Sequence, residues 1–175
     1  MKKTNICNCN LKDLESKLFI TSDLIINIYI LIYMLYQIDE NYGEIAEKKA
    51  IVKLQEFFKI PLIKLSYYDT FDFYNEENQL YIEIKARRCQ INSYESTMIG
   101  MNKINKAKIL LRKHNNVYFC FYFTKTDYTE CDLYYWKFNL SDFDKCESKT
   151  GGRVDRGKSE IKKYCYIPVS LLTKI

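Results

Sequence analysis

The chain is poor in the residues that interrupt structure: five glycines and two prolines in 175 residues. That scarcity excludes collagen-like, linker-rich and low-complexity architectures. Histidine occurs once, as His114, so zinc sites built from several histidines and nuclease chemistries that need two are excluded. Nothing around His114 suggests a Ser-His-Asp triad, and its place near the end of an expected helix fits a structural role. The phosphate-loop spacing G-x-x-x-x-G-K-[ST] is missing, and Gly151-Gly152-Arg153 does not supply it. The seven cysteines, at 7, 9, 89, 120, 131, 146 and 165, are odd in number and include no C-x-x-C pair. They read as free thiols in the cytoplasm or another reducing compartment.

Hydrophobic residues make up 47% of the chain and charged residues 28%, enough for a globular core in one domain. Ile, Lys, Asn and Tyr together supply 72 of the 175 residues. All four have AT-rich codons, so the net charge of +5 is discounted as evidence by itself. Its distribution is more informative. Residues 1–85 carry a net −3 and residues 86–175 a net +8, with basic clusters over 87–113 and 149–163. An acidic half joined to a basic half suits a polyanion-binding protein with a cation-binding pocket beside it.

The long apolar run is Leu24–Ile38 (LIINIYILIYMLYQI). As a helix it spans roughly 22 Å, short of the ~30 Å hydrocarbon core of a bilayer. Asn27 and Gln37 interrupt it, Asp23 and Asp39 bracket it, and no cationic cluster flanks it. It reads as a buried helix, not a membrane anchor.

Coarse patterning predicts a short helix around 11–19, helices over 24–38 and 44–58, and a break at Asn41-Tyr42-Gly43. Strand-like runs follow at 62–67, 70–74 and 80–86, then a helix over Thr97–Lys113. Val117–Thr124 (VYFCFYFT) has the near-continuous apolarity of a strand buried on both faces, and 132–138 is expected to pair with it. The basic stretch 149–163 reads as a loop, before a strand at 164–167 and a helical turn after Pro168. The expected architecture is α/β: a mixed central sheet flanked by helices, with 1–40 as an N-terminal helical extension and 126–175 as a C-terminal β elaboration on the 41–125 core.

The segment that can carry chemistry is Tyr68–Arg88, YDTFDFYNEENQLYIEIKARR. Glu83 and Lys85 alternate with Ile82 and Ile84, so both project from one face of a strand and the isoleucines from the other. A hairpin turning between Glu77 and Asn78 sets Asp72 opposite Glu83. Facing carboxylates repel unless a hard divalent cation such as Mg²⁺ joins them. A surface hairpin with scattered charges is the plainer reading of the same spacing.

Asp72 … Glu83-Ile84-Lys85 resembles the signature of the PD-(D/E)XK nuclease superfamily, with its restriction-endonuclease-like core. Phe71 stands where the family motif has proline, and Asp69 is a rival to Asp72 as the first acid, although on a regular strand it faces away. The wording YIEIKARR, STMIGMNKI and GGRVDRGKSEIKKYCYIP is also similar to uncharacterised proteins of large DNA viruses. The resemblance implies Asp72, Glu83 and Lys85 as catalytic residues. It implies Glu44, Asp72, Glu83 and the carbonyl of Ile84 as ligands of Mg²⁺ or Mn²⁺, with Glu47 as a second option for the upstream acid. Arg87, Arg88, Lys103, Lys106, Arg153 and Arg156 are expected to contact nucleic-acid phosphates.

The function so implied is metal-dependent hydrolysis of phosphodiester bonds in DNA. The rival is a catalytically inactive nucleic-acid-binding accessory or virion-associated protein of the same fold. A viral factory or virion would suit either. A monomer and a homodimer both remain open as the active unit.

Overall fold

In the computed structural model the described residues are 11–124, 131–151 and 162–175. Arg153, Arg156 and most of the basic stretch around them therefore lie outside the described residues. The chain divides between Glu40 and Asn41 into two compact units.

Helix α1 runs without interruption over Leu11–Phe58, so the expected break at Asn41-Tyr42-Gly43 does not occur. Gly43 costs helix stability, but a single glycine inside a long cooperative helix is not a stop signal without proline or a capping turn. In the first unit Leu24, Ile25, Ile26, Ile28, Tyr29 and Ile30 are exposed, which corrects the expectation of a buried helix. Among that unit's described residues there is no element other than this helix. No helix among the described residues is long and apolar enough to cross a membrane.

In the second unit the end of α1 presents Ala46, Ala50 and Leu54, spaced by four and fully buried. Two alanines let the helix approach the sheet closely. The six-stranded sheet has the order β1-β2-β3-β5-β6-β9. Its strands are β1 (Ile63–Lys64), β2 (Phe73–Asn75), β3 (Leu80–Arg87), β5 (Asn116–Thr124), β6 (Cys131–Lys137) and β9 (Thr173–Lys174). β3 and β5 are parallel and the other pairs antiparallel, so the sheet is mixed, as the sequence predicts.

β5 sits at the centre and is buried on both faces. Its Cys120 and Tyr122 join Ile82, Ile84 and the α1 stripe in one core. Its Val117, Phe119, Phe121 and Phe123 join helix α2 (Met101–Arg112) and a second sheet in the other. Trp136 belongs to this second core, stacked on Phe119 at 5.7 Å, and so packs the sheet instead of meeting a base.

The second sheet has the order β4-β8-β7: β4 (Ser96–Gly100), β8 (Lys162–Pro168) and β7 (Glu147–Gly151). Two expectations are corrected here. Residues 96–100 are strand, not the start of a helix, because Thr97 and Ile99 alternate in burial and pair with Ile167 and Cys165. That partner lies far along the chain and leaves no local periodicity to read. The start of the expected 149–163 loop is likewise strand, paired with β8. A four-residue helix, α3 (Leu140–Phe143), links β6 to β7.

α2 ends in a Schellman motif: the Asn115 and His114 amides donate to the carbonyls of Leu110 and Leu111. His114 takes φ 62°, the left-handed conformation glycine prefers there. At Gly43 an added Cβ would meet nothing within 4 Å. Gly43→Ala should therefore stabilise the protein by about 0.5–1 kcal/mol, raising the melting temperature by about 1–4 °C. An unchanged or lower melting temperature would mean that α1 is not helical through this point.

Candidate active site

β3 positions the candidate residues by alternation. Ile82 and Ile84 enter the α1 core, so Glu83, Lys85 and Arg87 share the opposite face, toward α2 and β4. The ladder pairs Phe73 with Ile82 and Tyr74 with Tyr81, the register that the turn at Glu77-Asn78 predicts.

β2 begins only at Phe73, and one residue before it the Asp72 side chain takes over: its Oδ2 accepts the Ile84 amide at 2.6 Å. A carboxylate thus replaces a strand carbonyl at the point where β3 loses its neighbour on this side. Phe71, in the place of the motif's proline, is buried and packs on Tyr81 and Phe119. Asp69 does different work. Its Oδ2 accepts the Ser66 amide at 2.9 Å and closes the turn over 66–69.

Glu83 is 2% exposed. The Lys103 ammonium donates to its Oε2 at 2.7 Å, and Lys85 Nζ stands 3.8 Å from its Oε1. Lys103 also donates to the Thr70 carbonyl. Burial, and then the charge of Asp72, push the Glu83 carboxyl up to about 7 against the pull of both lysines. Asp72 is raised too, chiefly by burial, with the Ile84 hydrogen bond opposing. The two lysines do not offset the burial of these carboxylates.

The other expected residues are distributed as follows. Glu44 is exposed on α1, 3.9 Å from Lys48. Glu47, one turn later, is half-buried and bonded to Lys64 at 2.8 Å, and its charge acts on Asp72. Arg87 is committed inward: Nε donates to Thr97 Oγ1 at 3.0 Å and Nη2 to the Met98 carbonyl. The Arg88 guanidinium lies 4.7 Å from the centre of the Tyr42 ring, and Tyr42 Oη in turn bonds Thr124 Oγ1 at 2.7 Å. Lys106 is exposed on α2.

Lys103 was legible only as a basic residue on a helix. Its contact with Glu83 appears once α2 is known to begin at Met101. A cation in the first turn of a helix opposes the helix dipole, and the buried anion supplies the compensation.

Oxygen donors from two carboxylates fit a hard divalent cation, which commonly takes one or two carboxylates and completes its shell with water and phosphate oxygens. Among the described residues no cluster of three or more His, Cys, Asp or Glu side chains is arranged to hold a metal. The model of a family described as phage putative PDDEXK endonuclease matches residues 36–175. The chain belongs to this family. No curated protein matches it, and no solved structure does. The PDDEXK assignment agrees with the mixed sheet and with the likeness to viral proteins, and it implies a nucleic-acid substrate and a divalent metal. The PDDEXK match includes both the β3 motif and α2.

The raised Glu83 carboxyl has a consequence for stability. A folded value of about 7 against 4.5 in the unfolded chain means that the fold binds this proton more tightly. Stability from this group is therefore fullest below about pH 4.5 and declines as pH rises to about 7, by about 3 kcal/mol at most. In metal-free buffer, melting curves of the native protein should fall between pH 5 and 7.5 relative to those of Glu83→Gln. Parallel pH profiles would show that Glu83 ionises normally.

Proposed function

We propose that the chain is a nuclease that hydrolyses phosphodiester bonds in DNA with Mg²⁺ or Mn²⁺. The observation that carries this reading is the buried Glu83 beside Asp72 on the strand that also bears Lys85, within a chain of the PDDEXK family. Asp72, Glu83 and the Ile84 carbonyl would hold the metal, which supplies Lewis acidity and a bound water of lowered pKa. Glu47 suits the upstream acid better than Glu44, because its charge already acts on Asp72.

The chain's own groups do the rest. Asp72 and Glu83 orient the attacking water by accepting its hydrogens. The Lys85 ammonium, half-exposed and on the same face as Glu83, donates to the phosphate oxygen on which negative charge grows. Lys103 holds Glu83 in one rotamer from α2. Arg88 and Lys106, with Arg153 and Arg156, are the candidates for backbone phosphates. Cys89, Cys120, Cys146 and Cys165 are free thiols, which suits the cytoplasm, a viral factory or a virion interior.

One observation favours the inactive accessory or virion-associated protein: the Lys103 ammonium already supplies Glu83 with a cation at 2.7 Å. The two readings separate on mixed linear, nicked, branched and single-stranded DNA in Mg²⁺ and in Mn²⁺. Catalysis predicts cleavage that falls about 10²–10⁴-fold in Lys85→Ala and Asp72→Ala with folding retained. Salt-sensitive binding without cleavage, unchanged in both variants, would establish the accessory reading. A dimer requirement would appear as a rate that rises with the square of protein concentration.

A further inference from the structure

Two residues beyond Lys85 on the same face of β3, Arg87 forms one side of a cavity of about 440 Å³ between the end of the large sheet and β4. That volume is in the range of small-ligand pockets and far from the long grooves that take peptides or helices. Its walls are mainly apolar and aromatic: Phe123 from β5, Tyr166 from β8, and Met98 from β4. Tyr94, 69% exposed, forms part of its lining. Polar groups are few: Gln90, Glu95 and Ser96 offer an amide, an acceptor and a hydroxyl.

The pocket is held in shape by Arg87. Its guanidinium bonds Thr97 Oγ1 and the Met98 carbonyl, tying β3 to β4 across the floor. Flat aromatic walls with polar groups at the edge match a planar heterocycle, which stacks by its faces and hydrogen-bonds by its rim. The distance also fits. Two residues along a strand advance about 7 Å, which one unstacked nucleotide spans from its phosphate to its neighbour. A base stacked in a duplex has its faces covered by its neighbours and cannot enter a cavity, so the occupant has to be unpaired.

We propose that this cavity receives the base of an unpaired nucleotide adjacent to the scissile phosphate. The inference rests on the nuclease reading and narrows its substrate to single strands, flaps, gaps or nucleotides turned out of a duplex. It also gives Arg87 a role distinct from a phosphate grip, as the residue that positions the pocket floor.

The test uses the full chain in EDTA, so that nothing is cut. Single-stranded and gapped oligonucleotides carrying 5-iododeoxyuridine at successive positions are bound, irradiated and mapped by mass spectrometry, with affinity read by anisotropy. Cross-links to Tyr94, Phe123 or Tyr166 are expected, from one or two positions in the gapped oligonucleotide. Ser96→Trp, which fills the cavity, should abolish them. Tyr94→Ala, at an exposed ring whose loss does not threaten folding, should weaken binding to unpaired DNA about 5- to 150-fold and leave duplex binding unchanged. Retained binding with cross-links only elsewhere, or equal affinity in Tyr94→Ala, would overturn the pocket and leave the nuclease reading standing. No binding to any oligonucleotide would overturn the pocket, while cleavage in Mg²⁺ or Mn²⁺ decides the nuclease reading separately.

Discussion

The burial of one carboxylate constrains the rest of the second unit. Glu83 lies on β3, beside the most buried strand of the sheet, and is almost wholly removed from water. An isolated carboxylate in that place would cost several kcal/mol. The surrounding structure is organised to reduce that cost. Lys103 reaches it from α2 and Lys85 stands two residues along the strand, while the facing Asp72, bonded to the Ile84 amide, opposes them with its own charge. Together these groups leave the carboxyl with a value near 7, between the charged and neutral forms. Such balanced electrostatics are found at sites that bind cations or move protons more often than in inert cores.

The same constraint explains why β4 precedes α2. If the helix began at Thr97, Lys103 would lie in its second turn and on a different path. Strand pairing of 96–100 with β8 places the helix start at Met101 and brings residue 103 over Glu83. β4 also supplies Thr97 and Met98 to Arg87, so one short strand sets both the lysine and the arginine.

Much of this was legible in the residues and some was not. The alternation of Ile82 and Ile84 with Glu83 and Lys85, and the Asn75–Asn78 turn, carried the strand, its faces and its register, because period two and turn chemistry are local properties. The double-sided burial of β5 was visible in its apolar run. β4 was read as helix because Met98, Met101 and Ile104 fit a helical period, while the evidence against it sat in β8. The break expected at Asn41-Tyr42-Gly43 does not occur, because neither the asparagine nor the glycine stops a helix that neighbouring turns continue. Asp69 and Asp72 differ in whether a backbone amide of the turn or of β3 is within reach, and only folding decides that. Glu44 and Glu47 share a helix and differ in which is angled toward Asp72.

The pairing of β4 with β8 joins residues 64 to 72 positions apart. Contacts so distant in sequence form late, since a long loop has to close before they repay its entropy. During synthesis, a ribosome that has made β3 and α2 has still to make the strand that completes the second sheet. A chain stopped early would therefore carry Arg87 and both its partners, Thr97 and Met98, without the strand that holds those partners in register. Completion of the arrangement is tied to completion of the polypeptide, a timing set by topology and not by any separate regulator.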